Sequence, residues 1–253
     1  MGSELDRAIA NLELRLPKTS LGGWNFGNEI PAWRTCLQIM QSMDGAEGKL
    51  REIGRERNVE QLLDLLAEVK FAVIFSQLGF IVEVTPHIAG RGKGHRPDLR
   101  VARDNSSSVV EVKRFRPPGR FSPGRRMTHF VDTAKAIHRF QEYGDLPMDI
   151  RKVAFEIEGK FRQASSDGII AIWNSNDELS PEEVDAATSR LRLQSNQRRK
   201  PAFVLLRGDP GERFACFALQ NQLMQQHVQW IEELTQVVPD AILAGLSSEA
   251  KLG

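Results

Sequence analysis

The 253-residue chain is 41% hydrophobic and 26% charged, which predicts an ordinary globular protein large enough for one sizeable core. Its longest strongly apolar stretch, residues 71–75, is far below the ~20 residues that a membrane helix needs, and its N-terminus lacks signal-peptide features. Two isolated cysteines, Cys36 and Cys216, exclude a disulfide framework and a cysteine zinc site. We therefore expect a cytoplasmic protein without a membrane partner.

The charge of the chain is unevenly distributed, although its formal net charge is only +1. Residues 91–126 hold eleven Lys or Arg against three Asp or Glu, a net charge of +8 that leaves −7 for the remainder. Such a basic segment in an otherwise acidic chain is typical of a surface that binds a polyanion. A solvated loop explains single arginines readily but explains this segregation less well, so we expect a nucleic-acid partner.

The first half of the chain predicts helices followed by strands. Residues 1–54 hold helix-like segments around a Gly-rich loop, and we treat them as an N-terminal helical extension without an assigned role. Apolar spacing then predicts a long helix over 55–79 that ends at a glycine, and a strand over 80–86. Two alternating runs, DLRVAR (98–103) and VVEVKRF (109–115), flank the polar stretch DNSSS and predict a hairpin.

The second half continues the alternation of helices and strands. Two helix-like segments over 129–143 and 148–166 precede a buried-type strand, GIIAIWNS. A helix that begins at Pro181, with Ser180 as its cap, leads to two strands joined by a DPG turn, and a last helix follows. This order predicts an α/β fold in which helices flank a mixed central β-sheet, with residues 55–253 as the domain.

The predicted hairpin brings three charged side chains together. Side chains two residues apart share one face of a strand, so Glu111 and Lys113 project together. The apolar residues of both strands must share the opposite, core-facing side, which turns Asp98 to the side of Glu111. A turn near Asn105 sets Asp98 opposite or diagonal to Glu111, within roughly 5–8 Å on cross-strand geometry. Two carboxylates and an ammonium group therefore converge.

This convergence suits phosphodiester hydrolysis. Two neighbouring carboxylates repel each other, and Mg²⁺, which takes one or two carboxylates together with waters and phosphate oxygens, relieves that repulsion. A lysine beside the metal stabilises or deprotonates the attacking water, or offsets negative charge that develops on phosphorus. One alternative stays open, because the same residues on a solvated hairpin face would form a surface ion-pair cluster worth ~1 kcal/mol or less.

The spacing of these residues resembles a known motif. Pro97-Asp98, twelve intervening residues and Glu111-Val112-Lys113 resemble the motif of the PD-(D/E)xK nuclease superfamily, whose fold is restriction-endonuclease-like. The resemblance implies that Asp98 and Glu111 ligate Mg²⁺, with Mn²⁺ as a substitute, and that the Val112 carbonyl adds a ligand. It also implies that Lys113 serves the attacking water. The motif assigns no branch of the superfamily.

The resemblance covers about residues 55–175, where a long helix and a strand precede the hairpin. In this superfamily a glutamate from that helix frequently joins the metal site, and Glu68 is the matching residue here. Glu68 lies on a partly apolar stripe of the predicted helix, where an unpaired carboxylate is costly to bury. A boundary salt bridge is the alternative role for Glu68, and Asp64, one turn away, is the rival candidate.

These features predict a Mg²⁺-dependent nuclease that hydrolyses DNA in restriction, repair, recombination or phage defence, as an endonuclease or an exonuclease. The basic residues expected to grip the phosphate backbone are Arg91, Lys93, Arg96, Arg114, Arg116, Arg120, Arg125 and Arg126. RNA as the substrate stays open, as does assembly into a homodimer or with partner subunits. The alternative is a catalytically silent nucleic-acid-binding or protein-interaction module of a larger defence or repair complex.

Overall fold

A computed structural model describes the chain in nine stretches. These are residues 3–16, 20–21, 24–25, 29–85, 96–115, 148–164, 167–174, 179–193 and 200–249. The chain divides into two compact units. The first unit comprises Met1–Arg114, Pro210–Glu212 and Val238–Gly253, and the second comprises Phe115–Asp209 and Arg213–Val237.

The described helices and strands confirm an α/β protein. The helices are α1 (Glu4–Arg15), α2 (Ile30–Met40), α3 (Ala46–Arg55), α4 (Val59–Gln77), α5 (Met148–Gly159), α6 (Phe161–Ala164), α7 (Pro181–Leu193), α8 (Gln225–Leu234) and α9 (Pro239–Glu249). The strands are β1 (Ser20–Leu21), β2 (Trp24–Asn25), β3 (Ile81–Val84), β4 (Leu99–Arg103), β5 (Ser106–Phe115), β6 (Ile169–Asn174), β7 (Phe203–Arg207) and β8 (Ala215–Ala218). Within the described stretches, no helix combines the length and the apolar character needed to cross a membrane.

The longest of these helices, α4, begins where its first amide groups find a partner. The Asn58 side chain accepts hydrogen bonds from the backbone N–H groups of Glu60 (2.9 Å) and Gln61 (3.3 Å). Its apolar residues from Leu62 onward are largely buried, and Gly79, with a φ of 81°, follows the last turn. The helix predicted over 55–79 is confirmed with a later start, because the Asn58 cap fixes the first turn.

In the first unit, β4 pairs antiparallel with β3 on one side and with β5 on the other. Leu99 of β4 lies between Val84 of β3 and Val110 of β5 in this register. Asp104 and Asn105 join β4 to β5, and both have a positive φ (51° and 62°), as a two-residue type I′ turn requires. The predicted hairpin is confirmed with a shorter turn, since the serines after Asn105 pair with β4 as part of β5.

The helices α1, α2 and α3 belong to the first unit and do not form a separate body. The Asn11 side chain of α1 donates hydrogen bonds to the carbonyls of Ile53 (2.7 Å) and Glu56 (2.8 Å), which tie α1 to the end of α3. α2 packs against α4, and α3 packs against both α4 and β3. Helices on both sides of residue 54 therefore pack together within one unit, and the domain boundary that we placed there stays a prediction.

The second unit contains strands of both orientations. β6 pairs in parallel with β7, and β7 pairs antiparallel with β8. Ile170, Ile172, Val204 and Leu206 of β6 and β7 are fully buried in an apolar cluster that residues of α5, α6 and α7 complete. The predicted combination of a mixed sheet with flanking helices is confirmed here. The restriction-endonuclease-like core stays a prediction.

Local signals in the second unit fix its helix boundaries. The Ser180 N–H donates to Glu183 Oε2 (2.8 Å) and the Glu183 N–H donates to Ser180 Oγ (3.2 Å), a capping box that confirms Ser180 as the cap of α7. The segment predicted as one helix over 148–166 forms two, α5 and α6. The segment predicted over 129–143 lies outside the described residues.

Candidate functional site

The hairpin of the first unit places Asp98 opposite Glu111. The register pairs Leu99 with Val110, and its next step pairs Asp98, the residue before β4, with Glu111. The Val112 N–H donates a hydrogen bond to Asp98 Oδ2 (2.8 Å), and the Asp98 carbonyl accepts one from the Thr85 N–H (2.7 Å). Asp98 is therefore fixed through both its backbone and its carboxylate, at the end of the hairpin that lies away from the turn.

The second carboxylate of the hairpin, that of Glu111, is fully buried (0% exposed). Lys113 lies two residues further on the same face of β5, and it and Asp98 are half-buried. A glutamate taken out of water needs compensating interactions, because an isolated buried charge is costly. A solvated surface cluster of ion pairs, the alternative left open by the pattern alone, leaves its carboxylates in water. The burial of Glu111 is at odds with that alternative.

Glu68 lies on α4 and faces a lysine that the sequence did not single out. Lys49 of α3 places its Nζ 2.5 Å from Glu68 Oε2 and 3.1 Å from Glu52 Oε2. The side chains of Lys49 and Glu68 are only 5% and 13% exposed, so their charges meet away from bulk water. Of the two roles foreseen for Glu68, the salt bridge is present, and a role toward metal stays a prediction.

Electrostatic effects link Glu68 to Asp98. Burial and the negative charge of Asp98 raise the pKa of the Glu68 carboxyl, against the opposing effect of the Lys49 ammonium group. Burial lowers the pKa of Lys49, but the carboxylates of Glu68, Glu52 and Asp98 outweigh it and raise that pKa above its ordinary value. Glu68, Lys49 and Asp98 therefore act on one another as a group of charges.

The carboxylates around Asp98 are better suited to a metal ion that takes two protein carboxylates than to one that takes three. Among the residues that the structure describes, no group of three or more His, Cys, Asp or Glu side chains is arranged to hold a metal ion. At this site the Glu68 carboxylate faces the Lys49 ammonium group. Asp98 and Glu111 suffice in number for Mg²⁺, which takes one or two carboxylates and completes its shell with water and phosphate oxygens.

Arg114, predicted to contact the nucleic-acid backbone, is engaged inside the first unit. Its Nε donates to Asp64 Oδ1 (2.9 Å), and its Nη2 pairs with the Glu60 carboxylate and the Glu60 carbonyl. The side chain is 7% exposed. Asp64, the rival to Glu68, therefore serves as a partner of Arg114. The placement joins β5 to α4 and does not present the guanidinium to a phosphate.

The other predicted backbone contacts fall mostly outside the described stretches. Arg96 is exposed, immediately before the buried Pro97. The residues outside are Arg91, Lys93, Arg116, Arg120, Arg125 and Arg126. Their predicted role toward nucleic acid stays a prediction.

Lys49 is the residue at this site that we did not predict, although α3 carries a signal for it. Ala46, Leu50 and Ile53 of α3 are buried, and Lys49 is adjacent to them on the same helical stripe. The reasoning that singled out Glu68, a charge on an apolar stripe that needs a partner, applies equally to Lys49.

Comparisons with known proteins supply no family for this chain. No family model matches it, and no curated protein matches it. Among solved structures, a chain of the CdiA-CT/CdiI toxin and immunity complex from Burkholderia pseudomallei is similar at 17% sequence identity and a TM-score of 0.39. The match covers 65% of this chain and 90% of that chain. A likeness of this degree supports no inference about fold or function.

Proposed function

We propose that this protein is a Mg²⁺-dependent nuclease that hydrolyses phosphodiester bonds in DNA. One observation carries the proposal: the fully buried Glu111 lies opposite Asp98 across the hairpin, with Lys113 on the same face of β5. Two carboxylates that lie opposite each other repel, and a cation between them relieves that repulsion. A divalent cation bound by oxygen ligands meets that need.

The chain's own residues divide the work of the proposed reaction. Asp98 and Glu111 hold the metal, and the Val112 N–H fixes the Asp98 carboxylate at 2.8 Å while the Val112 carbonyl offers a further oxygen. When bound, Mg²⁺ supplies charge neutralisation at the phosphate and a water of lowered pKa. Lys113 orients that water or offsets charge on phosphorus, and Glu68 assists from α4.

The proposed substrate follows from charge. The basic segment 91–126, with a net charge of +8, flanks the hairpin on both sides in sequence, and Arg96, two residues before Asp98, is exposed. Cationic side chains that neutralise backbone phosphates give most nucleic-acid affinity without reading sequence. Restriction, repair, recombination and phage defence all suit such an enzyme, and a fold by itself does not choose among them.

A cleavage assay tests the proposal. Linear, supercoiled, single-stranded and branched DNA are incubated with the protein in Mg²⁺, Mn²⁺ or EDTA. Asp98→Asn and Lys113→Met should each lower the rate by at least about 100-fold, the usual scale for a lost acid–base or electrostatic contribution. The matched control is Asp104→Asn, the same change at the exposed turn of the same hairpin, which should cleave like the wild type. Full activity in both site variants would refute the nuclease.

One observation favours a second candidate, a catalytically silent nucleic-acid-binding or protein-interaction module, alone or with partner subunits. The Lys49 ammonium already supplies Glu68 with a positive charge, so that part of the cluster is balanced without a metal. DNA binding that persists in Asp98→Asn and Lys113→Met, combined with no cleavage by the wild-type protein in any metal, would select this candidate.

A further inference from the structure

Lys49 holds a positive charge among the carboxylates of the candidate site. Its Nζ lies 2.5 Å from Glu68 Oε2, and the charge of Asp98 acts on both Lys49 and Glu68. The ammonium group reaches this place from α3, whose buried Ala46, Leu50 and Ile53 anchor the helix. The positive charge of Lys49 therefore lies next to Glu68 of α4.

The Lys49 ammonium group and a divalent cation compete for the Glu68 carboxylate. Two positive charges a few ångströms apart repel strongly where burial reduces screening by water. Both would also need the Glu68 Oε2 atom, which already lies in an ion pair with Lys49 Nζ at 2.5 Å. A metal that engages Glu68 must therefore displace the Lys49 ammonium.

The structure provides a second partner for the displaced group. Glu52 lies three residues after Lys49 on α3, its Oε2 is 3.1 Å from Nζ, and its side chain is mostly exposed. A lysine side chain can rotate about its four-carbon stem while its helix stays in place. Lys49 can thus release Glu68 and keep Glu52, with no movement of α3.

We infer that Lys49 is a built-in competitor of divalent metal: in the resting protein its ammonium group holds Glu68, and metal binding at the Glu68–Asp98 side of the site requires it to turn away. The inference rests on the proposed divalent-cation site and adds to it a residue that sets metal affinity. It predicts that removal of the ammonium group strengthens metal binding, the opposite of what loss of a structural ion pair alone would do.

The test measures Mn²⁺ binding by electron paramagnetic resonance of the free ion, with no nucleic acid present. Lys49→Met should bind Mn²⁺ at least about tenfold more tightly than the wild type, because a nearby positive charge is removed. Adding Glu68→Gln to Lys49→Met should abolish that gain. Lys70→Met is the matched control, since Lys70 is another largely buried lysine of the first unit, paired with Glu29 at 3.7 Å and stacked on Trp33. It should bind Mn²⁺ like the wild type.

A second measurement uses the wild-type chain and does not depend on the fold of a variant. Reductive methylation of lysines, read by peptide mass spectrometry, should modify Lys49 faster in saturating Ca²⁺ than in EDTA, while Lys70 is unchanged. Unchanged Mn²⁺ affinity in Lys49→Met overturns the inference. If that variant does not fold, equal labelling of Lys49 with and without Ca²⁺ overturns it.

The outcomes separate this inference from the nuclease proposal. Tighter Mn²⁺ binding in Lys49→Met, with no cleavage of DNA by the wild type, would support Lys49 as a competitor of metal and refute the nuclease proposal. Metal-dependent cleavage by the wild type, with no gain in Lys49→Met, rejects the competitor and leaves the nuclease standing.

Discussion

At the scale of single residues, Arg114 connects the strand of the site to the helix beside it. Its guanidinium pairs with Glu60 and Asp64 of α4, while its neighbour Lys113 lies on the other face of β5. Because side chains alternate between the two faces of β5, Arg114 forms ion pairs with α4 while Lys113 lies on the face of the candidate site. The sequence alone does not distinguish the roles of these two positive charges, whereas their burial in the structure does.

Replacing Arg114 with Met should lower the free energy of unfolding by about 2–3 kcal/mol, because two carboxylates lose a shared, largely buried partner. Urea denaturation measures the loss. The control is Arg100→Met, which removes the more exposed ion pair with Glu83 (2.9 Å) and should cost less than about 1 kcal/mol. Equal losses in the two variants would contradict the role given to Arg114.

At the scale of elements, the position of α3 decides where Lys49 lies. Gly45 precedes α3 with a φ of 79°, and a Cβ at this position would lie 2.0 Å from the Val84 carbonyl oxygen of β3. The Val84 N–H also donates to the Asp44 carbonyl (2.7 Å), so the start of α3 is held against β3. A glycine is required here both by its backbone conformation and by the close approach.

Gly45→Ala should destabilise the protein by about 2–4 kcal/mol, since the methyl group collides with a backbone atom that side-chain rotation cannot move. Gly48→Ala is the matched control three residues on, where a Cβ meets nothing within 4 Å. That change should stabilise by up to about 1 kcal/mol through helix propensity. Thermal unfolding of the two variants compares them, and a Gly45→Ala protein as stable as Gly48→Ala would contradict this packing.

A buried histidine of α8 in the second unit, His227, should make the stability of the protein depend on pH. His227 is buried between the rings of Phe203 and Trp230, and burial lowers the pKa of its imidazole despite the opposing charge of Asp167. The unfolded chain therefore takes up a proton before the folded chain does, and stability falls as pH drops below about 6.5. Urea denaturation between pH 8 and 5 should show a shallower fall in His227→Phe; parallel curves would count against the assignment.

At the scale of the whole molecule, the sequence patterns predicted features that depend on short-range geometry, such as the register of the hairpin. The opposition of Asp98 and Glu111 followed from alternation and one short turn, because register in a hairpin is set by apolar faces and turn length. Lys49 was not predicted, because its meeting with Glu68 depends on how α3 packs against α4. The α3 segment also lay in a region that we treated as an extension.

Charge along the sequence predicted a partner class but not the place of each cation. The basic segment includes Arg114, whose ion pairs within the first unit no composition argument could locate. The division into two units also escaped the sequence, since residues 210–212 and 238–253 return to the first unit after the chain has formed the second. Contacts between distant segments decide such features, and no periodicity records them.

Cleavage of end-labelled DNA by wild-type protein and by Glu111→Gln, at equal folded concentration in Mg²⁺ and in EDTA, tests whether the protein is a Mg²⁺-dependent nuclease. Glutamine keeps the size of the buried side chain and removes its charge, so the fold should persist, as circular dichroism can verify. We expect Mg²⁺-dependent cleavage by the wild type, none in EDTA, and a loss of at least about 100-fold in Glu111→Gln. Undiminished cleavage by Glu111→Gln, or cleavage by the wild type that EDTA does not stop, would contradict this expectation.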